Sequence, residues 1–186
     1  MMGHVINLLL ELVRENAGDK AVDEVFEVAH IEPATYRFEV LYPEDEFASL
    51  LSACIKVLGV TPLEAEIAFS EYFMRVSPQL FTAYFEVSPS TRVFLERLPE
   101  LHRSLPKAAS ELPFKDKVTL TGFGSDTIRL GYESPHQLCK FLVHSIGLLF
   151  KYYGETGDCI ELCCAREGAR RCEIEVRFHD EPAAAV

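Results

Sequence analysis

The main change in the spacing of apolar residues along this chain of 186 residues lies close to residue 105. Before that point apolar side chains recur every three or four residues, as they do in helices that bury one face. After it they alternate with polar residues in four short segments (117–121, 127–132, 158–165 and 172–178), with one helical pattern between them over 137–153. We therefore predict an α+β fold, in which an N-terminal helical subdomain is followed by a small four-stranded antiparallel sheet with one crossing helix.

The composition is that of a globular protein with an acidic surface. Hydrophobic residues make up 48% and charged residues 25% of the chain, and the net charge is −11. Such a surface repels phosphate groups, so we expect no nucleic acid and no membrane as partner. The leucine run Leu8–Leu10 is short and is followed at once by Glu11, which argues against a signal peptide or membrane span. We expect a cytoplasmic protein.

One histidine stands out on the last predicted helix before the change. The segment 94–105, FLERLPELHRSL, has an apolar face, and His102 lies at its edge. An imidazole nitrogen aimed into an apolar cavity can be a metal or heme ligand. A single histidine in such a position is more often a core residue bonded to a carbonyl, so the helix alone leaves both interpretations open.

Five of the six cysteines lie in the last third of the chain, spaced as C-x19-C-x3-CC-x7-C. The last four belong to a predicted strand-turn-strand segment, where thiolates can close a tetrahedral zinc site. The spacing lacks the tight C-x2-C pair of many zinc sites, so a set of free or buried cysteines is the alternative. These residues are Cys139, Cys159, Cys163, Cys164 and Cys172.

Several of these segments together resemble the heme nitric oxide/oxygen-binding (H-NOX) family over nearly the full length. The matching stretches are MMGHVINLLLELV, AFSEYF, FLERLPELH and YESPH. The resemblance implies one heme domain over 1–186, with a distal helical part (1–60) and a proximal part with helices, sheet and cysteine cluster (61–186). It implies heme b, with His102 as the iron ligand and Pro113 against the porphyrin. Tyr132 and Ser134 would hold the propionates, and His136 stands where the family has arginine.

The exchange of arginine for His136 bears on how the propionates are held. A guanidinium is always charged and binds a carboxylate through two bonds, whereas an imidazole makes one bond and is only partly protonated near neutral pH. We expect weaker, pH-sensitive heme retention, or compensation by another cation such as Arg129 or Lys140.

The resemblance also bears on which gas is bound. Family members that hold oxygen stably have a tyrosine nine residues beyond the signature tyrosine, and here that position is Phe141. Val5, Leu9 and Met74, which by resemblance face the ligand, are also apolar. Bound dioxygen carries negative charge and needs a hydrogen bond more than nitric oxide does. The pattern favours nitric oxide, although helical spacing alone would also fit four plain core residues.

A subset of bacterial H-NOX proteins has a zinc cluster similar to the cysteines of this chain. Cys139, Cys164 and Cys172 match three of its four ligands, and Glu161 stands in place of the histidine. The fourth ligand could be Cys163, Cys159 or Glu161.

The resemblance implies a heme-based nitric oxide sensor that regulates a partner signalling protein in trans. The partner would be a histidine kinase or a diguanylate cyclase/phosphodiesterase, and nitric oxide would act by weakening the iron bond to His102. We expect no catalysis, because no nucleophile-base pair, phosphate loop or paired-carboxylate motif stands out. One alternative is a zinc/thiol redox sensor in the same fold, acting through the cysteines. Another is a heme-free module that binds a small apolar ligand.

Overall fold

The computed structural model describes residues 1–104 and 117–179. Within these ranges the helices are α1 (Gly3–Ala17), α2 (Asp19–Ala29), α3 (Glu44–Leu58), α4 (Pro62–Leu80), α5 (Thr82–Glu86), α6 (Thr91–Ser104) and α7 (Cys139–Tyr153). The strands are β1 (Val118–Phe123), β2 (Thr127–Tyr132), β3 (Thr156–Cys163) and β4 (Cys172–His179). None of these helices is by itself long and apolar enough to cross a membrane. The predicted fold class is confirmed.

Local sequence signals explain where the long helices begin and end. At the start of α4 the Thr61 hydroxyl accepts the N–H of Glu64, and the Glu64 carboxylate accepts the N–H of Thr61 at 2.7 Å. Helix α3 begins with three acidic residues, which favour the positive end of the helix dipole, and ends at Gly59 with a φ of 66°. These boundaries agree with the sequence pattern.

Proline does not end α4, contrary to the sequence pattern. The Ser77-Pro78 pair predicts an end of the helix there, because proline has no backbone donor, but the helix continues to Leu80. Proline removes only one backbone donor, and the bond from the Phe81 N–H to the Ser77 carbonyl, at 2.8 Å, forms beyond it. Helix α6 likewise contains Pro99.

The described residues form two compact units that divide inside α4, between Tyr72 and Phe73. The family resemblance implied a division after residue 60, just before this helix. The first unit (1–72) has its core where α1, α2 and α3 meet. Its fully buried side chains include Ile6, Val13, Val25, Phe47 and Leu50.

The second unit (73–104 and 117–179) contains the antiparallel sheet, in the order β1-β2-β4-β3. Residues of β2 and β4 that oppose each other project to the same face, and the pairs Ile128–Val176 and Leu130–Ile174 are fully buried there. Helix α7 packs against β3. The approach is so close that a Cβ at Gly157 would lie 2.2 Å from the Phe150 ring. Only glycine fits this position.

Candidate functional site

His102 lies half-buried in the last turn of α6. The opposite end of this helix is held in place by two contacts. The Thr91 N–H at its first turn donates to the Glu155 carboxylate at 2.9 Å, and the Arg92 guanidinium donates to the carbonyls of Gly124 and Ser125 at 2.8 Å. The helix is therefore fastened to the β1–β2 turn and to the segment after α7, with His102 at its far end.

The expected propionate residues follow one another at the end of β2. Tyr132 is the last residue of the strand and is buried, with 8% of its surface exposed. The Ser134 hydroxyl accepts the backbone N–H of His136 at 3.3 Å. Gln137 then takes a left-handed conformation with a φ of 50°, which non-glycine residues rarely adopt. A tight turn thus places Ser134 and His136 beside each other directly after the strand.

The two cations that could replace the family arginine are both engaged elsewhere. The Arg129 guanidinium donates to Glu175 at 2.8 Å, and the Lys140 ammonium donates to Glu161 at 2.5 Å. Hydrogen bonds from Arg177 and then from Arg129 hold the pKa of Glu175 below its usual range. Neither cation is a ready substitute for the arginine.

The residues expected beside the gas are apolar side chains on three helices. Met74 on α4 is buried, and Phe141 on α7 packs edge-on against Phe73, with ring centroids 5.6 Å apart. In the first unit, Val5 of α1 is half-buried, and Leu9 is buried and lines an apolar cleft of about 320 Å³ formed by α1, α3 and the start of α4. Pro113 lies outside the described residues.

The second unit alone offers the kinds of side chain that a heme requires. His102 supplies an imidazole for iron, Tyr132 and Ser134 supply hydroxyl donors for carboxylates, and Met74 and Phe141 supply apolar surface. The chemistry of this donor set therefore fits a heme.

The cysteine cluster brings together residues from α7, β3 and β4. One ligand atom from each of Cys139, Glu161, Cys164 and Cys172 lies within 4.8 Å of all the others. The Sγ atom of Cys164 is 3.4 Å from that of Cys139 and 3.8 Å from that of Cys172. All three cysteines are buried. Three sulfurs and a carboxylate in this arrangement fit a tetrahedral zinc ion.

A β-bulge decides which residues of β3 join the cluster. Glu161 pairs with Ile174, but Cys163 pairs with Glu173, so the register shifts by one residue between them. Regular alternation would have put Cys163 on the face of Glu161. Instead the Cys163 thiol contacts the Arg171 carbonyl at 3.6 Å, and Cys164 turns toward the cluster. Cys159, which pairs with Val176 further along the strand, is also outside the group.

The environment of the cluster sets its protonation. Burial, and then the hydrogen bond with Cys164, raises the pKa of the Cys139 thiol, and burial raises the pKa of Cys172. Burial is the largest influence on the pKa of Glu161 and would raise it, but the Lys140 ammonium and the thiols of Cys164 and Cys139 together outweigh burial, so that the pKa is lowered. Without a metal, the cluster therefore has protonated Cys139 and Cys172 thiols beside an ionised carboxylate.

Two contributors were missed by sequence reasoning. Lys140 had been considered as a propionate partner, but it binds Glu161, which is 21 positions away. Glu155 caps α6 from 64 positions away. No local pattern signals either contact, because both depend on how α7 crosses the sheet.

The chain is similar to a known protein family and to proteins of known structure. The Haem-NO-binding family profile matches residues 2–159. An H-NOX protein from S. oneidensis in the Fe(II) state, carrying three substitutions, is 17% identical and superposes over 100% of both chains with a TM-score of 0.82. An oxygen-binding H-NOX domain related to soluble guanylate cyclases, in its oxygen complex, is 18% identical over 100% of this chain and 98% of its own, with a TM-score of 0.79. At these identities the structural likeness establishes the fold.

No curated protein sequence matches the chain significantly. The family profile, in contrast, covers most of the chain and includes His102, Tyr132, Ser134 and Cys139. The chain therefore belongs to the Haem-NO-binding, or H-NOX, family.

Proposed function

We propose that this chain is a heme-based nitric oxide sensor that regulates a separate signalling protein. The observation that carries the proposal is the placement of His102, a half-buried imidazole in the last turn of a helix whose first turn is fastened by Thr91 and Arg92. A ligand at the end of such a helix can pass a change at the iron to the surface of the protein. Membership in the Haem-NO-binding family supports this role.

Each residue of the site has a distinct task in the proposal. When bound, the heme would supply a ferrous iron that coordinates diatomic gases. His102 would hold the iron, and the hydroxyls of Tyr132 and Ser134 would donate to the propionates. His136 would add a weaker contact than arginine does. Release of His102 would free the last turn of α6 from the iron while the contacts of its first turn persist, so a change at the iron could move this end of the helix.

The preference for nitric oxide rests on the apolar character of the residues expected beside the gas. Leu9, Met74 and Phe141 have no hydrogen-bond donor in their side chains. Bound dioxygen would lack stabilisation of its negative charge, which a single hydrogen bond supplies at about 1.5–3 kcal/mol. Bound nitric oxide loses less stabilisation when no hydrogen bond is available, so the lack of a donor favours nitric oxide over dioxygen.

The direct test is the absorption spectrum of the purified, reduced protein. We expect a Soret band of a five-coordinate ferrous heme that does not become a stable oxygenated spectrum in air. Nitric oxide should convert it to a five-coordinate nitrosyl spectrum, because the His102 bond is released. Protein that takes up no heme when it is supplied, or that forms a stable oxygen complex, would contradict the proposal.

The partner is tested separately with enzymes from the same organism. A histidine kinase or a diguanylate cyclase/phosphodiesterase should change activity when mixed with the nitric oxide-loaded protein and respond less to the unliganded ferrous protein. Equal responses to both forms would remove the sensor role even if heme binds.

A second candidate function is favoured by the close grouping of three thiols and one carboxylate. We propose that Cys139, Cys164 and Cys172, with Glu161 beside them, form a site for one zinc ion, and that oxidation of the thiolates by peroxide alters the surface offered to the partner. Oxidation of two thiolates to one disulfide would transfer two electrons to peroxide, which is reduced to water, and would release zinc. Metal analysis of the reduced protein should give one zinc per chain, and peroxide should release it. Absence of zinc in reduced protein would reject this candidate.

A further inference from the structure

The two carboxylate oxygens of Glu161 have different surroundings. Oε2 accepts the Lys140 ammonium at 2.5 Å. Oε1 is buried and accepts no hydrogen bond of ordinary geometry among the described residues, and besides Lys140 the donors near this carboxylate are the thiols of Cys139 and Cys164, which are weak ones. A buried carboxylate oxygen without a partner costs free energy, so its presence beside three thiols calls for a ligand. Oε1 of Glu161 is therefore the carboxylate oxygen that remains available to a metal ion in the cluster.

The exposed fractions of the two side chains show from which side Lys140 approaches the carboxylate of Glu161. The side chain of Lys140 is 42% exposed, whereas that of Glu161 is only 15% exposed. The ammonium thus binds the carboxylate from the solvent side. This leaves the inner oxygen for the sulfurs of Cys139, Cys164 and Cys172, which are buried.

Charge gives Lys140 a second role. Three thiolates and a carboxylate carry four negative charges, of which a divalent zinc ion cancels only two. An uncompensated negative charge in a buried site is costly. A histidine at position 161 would be a neutral ligand, so a carboxylate there adds one negative charge, and the Lys140 ammonium balances it.

We propose that Glu161 is the fourth zinc ligand, through Oε1, and that Lys140 is the positioning residue that orients this carboxylate and balances its charge. The inference rests on the proposed zinc site and goes beyond it by naming what makes a carboxylate acceptable there. Removal of a group that hydrogen-bonds to a metal ligand typically changes the metal affinity 10–100-fold. The consequence is that Lys140 matters only while residue 161 is a carboxylate.

The first experiment measures zinc affinity by competition with a chromogenic chelator. Lys140→Met should weaken zinc binding by about tenfold or more, while Lys140→Arg, which keeps the charge and the donors, should stay close to the parent. Lys151→Met is the matched control, because Lys151 is an exposed lysine in the last turn of the same helix. Equal affinity in the parent and Lys140→Met would overturn the inference.

A double-mutant cycle then separates positioning from general stability. In a Glu161→His background, Lys140→Met should leave zinc affinity nearly unchanged, since no carboxylate remains to be held. A loss equal to that in the parent background would show that Lys140 acts through something other than Glu161, and would overturn the inference.

Cobalt(II) substitution gives a readout that folding alone does not move. Lys140→Met should shift the d–d bands, which report the fourth ligand, and leave the thiolate-to-cobalt charge-transfer intensity of three sulfurs unchanged. Identical d–d bands in the two proteins would contradict the positioning role. A parent protein that binds neither zinc nor cobalt would instead refute the zinc site itself, so the two failures are distinguishable.

Discussion

Tyr132 and Cys172 lie directly opposite each other in the ladder between β2 and β4. Residues paired in this way project to the same face of the sheet, and both side chains are buried, with 8% and 1% exposure. The residue proposed to bind a propionate and a residue proposed to bind zinc are therefore neighbours across one pair of strands. A change at either residue is expected to reach the other through this pair.

The first prediction uses the two adjacent cysteines as a matched pair. Cys164→Ser should abolish stoichiometric zinc binding, because a serine hydroxyl is a poor replacement for a thiolate. Cys163→Ser should retain zinc, since the Cys163 thiol contacts the Arg171 carbonyl instead. Metal content of both reduced proteins checks the pair. Zinc loss in Cys163→Ser would show that the register of β3 differs from the one described.

The second prediction concerns the iron ligand. His102→Gly should lose or shift the Soret band, and added free imidazole should restore it, because the small base can occupy the space of the missing ring. His179→Ala, at an exposed histidine, serves as the control. An unaltered spectrum in His102→Gly would exclude this residue as the ligand.

The third prediction concerns gas selectivity. Phe141→Tyr should make an oxygen complex observable and slow oxygen dissociation at least about tenfold, since one hydrogen bond to a charged acceptor contributes about 1.5 kcal/mol or more. Phe73→Tyr tests whether any added hydroxyl suffices, because Phe73 packs edge-on against Phe141. Stopped-flow mixing with oxygen measures both. An oxygen complex of equal lifetime in the parent and Phe141→Tyr would argue against selectivity through this position.

The fourth prediction concerns heme retention. His136→Arg should slow heme transfer to apomyoglobin about tenfold at pH 7 and flatten its dependence on pH, because a permanent bidentate cation replaces an imidazole. The effect should be visible because Arg129 and Lys140 are already bound to glutamates. Identical transfer rates from the parent and the variant would end the idea that residue 136 limits anchoring.

The fifth prediction concerns acid stability. The pKa of Glu175 is lowered in the folded protein by Arg177 and Arg129, so the folded state binds fewer protons than the unfolded state. Its contribution is complete above the ordinary glutamate pKa of 4.5 and is lost as pH falls through the lowered value. Glu175→Gln should therefore destabilise the protein at pH 7 and have less effect at pH 3, as measured by urea unfolding. Glu167→Gln, at an exposed residue, should show no such difference.

Much of the fold could be predicted because it is written in local patterns. The change of periodicity near residue 105 predicted the helices and strands, and the family resemblance pointed to Cys139, Cys164 and Cys172, which the structure brings within 4.8 Å of one another. The end of α4 was missed, because the cost of Pro78 is local while the surrounding helix bonds persist. Local signals suffice where structure is determined within a few residues.

The composition of the cluster could not be predicted to the same depth. Cys163, Cys159 and Glu161 were all candidates for the fourth ligand, with Cys163 foremost, and an alternating pattern would have put all three on one face. The extra residue in the bulge takes only Cys163 off this face, while Cys159 stays on it two residues before Glu161 and outside the cluster; the bulge is visible only in the pairing of β3 with β4. The roles of Arg129 and Lys140 were also open, because their partners Glu175 and Glu161 are distant in sequence.

The bulge in β3 changes which of the residues after it face the cluster. Up to Glu161 the inward face takes every second residue; after the extra position it takes Cys164, whose backbone is still extended. If the bulge were lost and the number of residues stayed the same, the regular alternation of faces would continue past Glu161, and Cys163 would turn inward in place of Cys164. A single insertion or deletion in this strand can thus exchange one cysteine for another in the cluster while the ligand remains a thiolate. The chemistry of the cluster is governed by strand length as much as by which residues the strand contains.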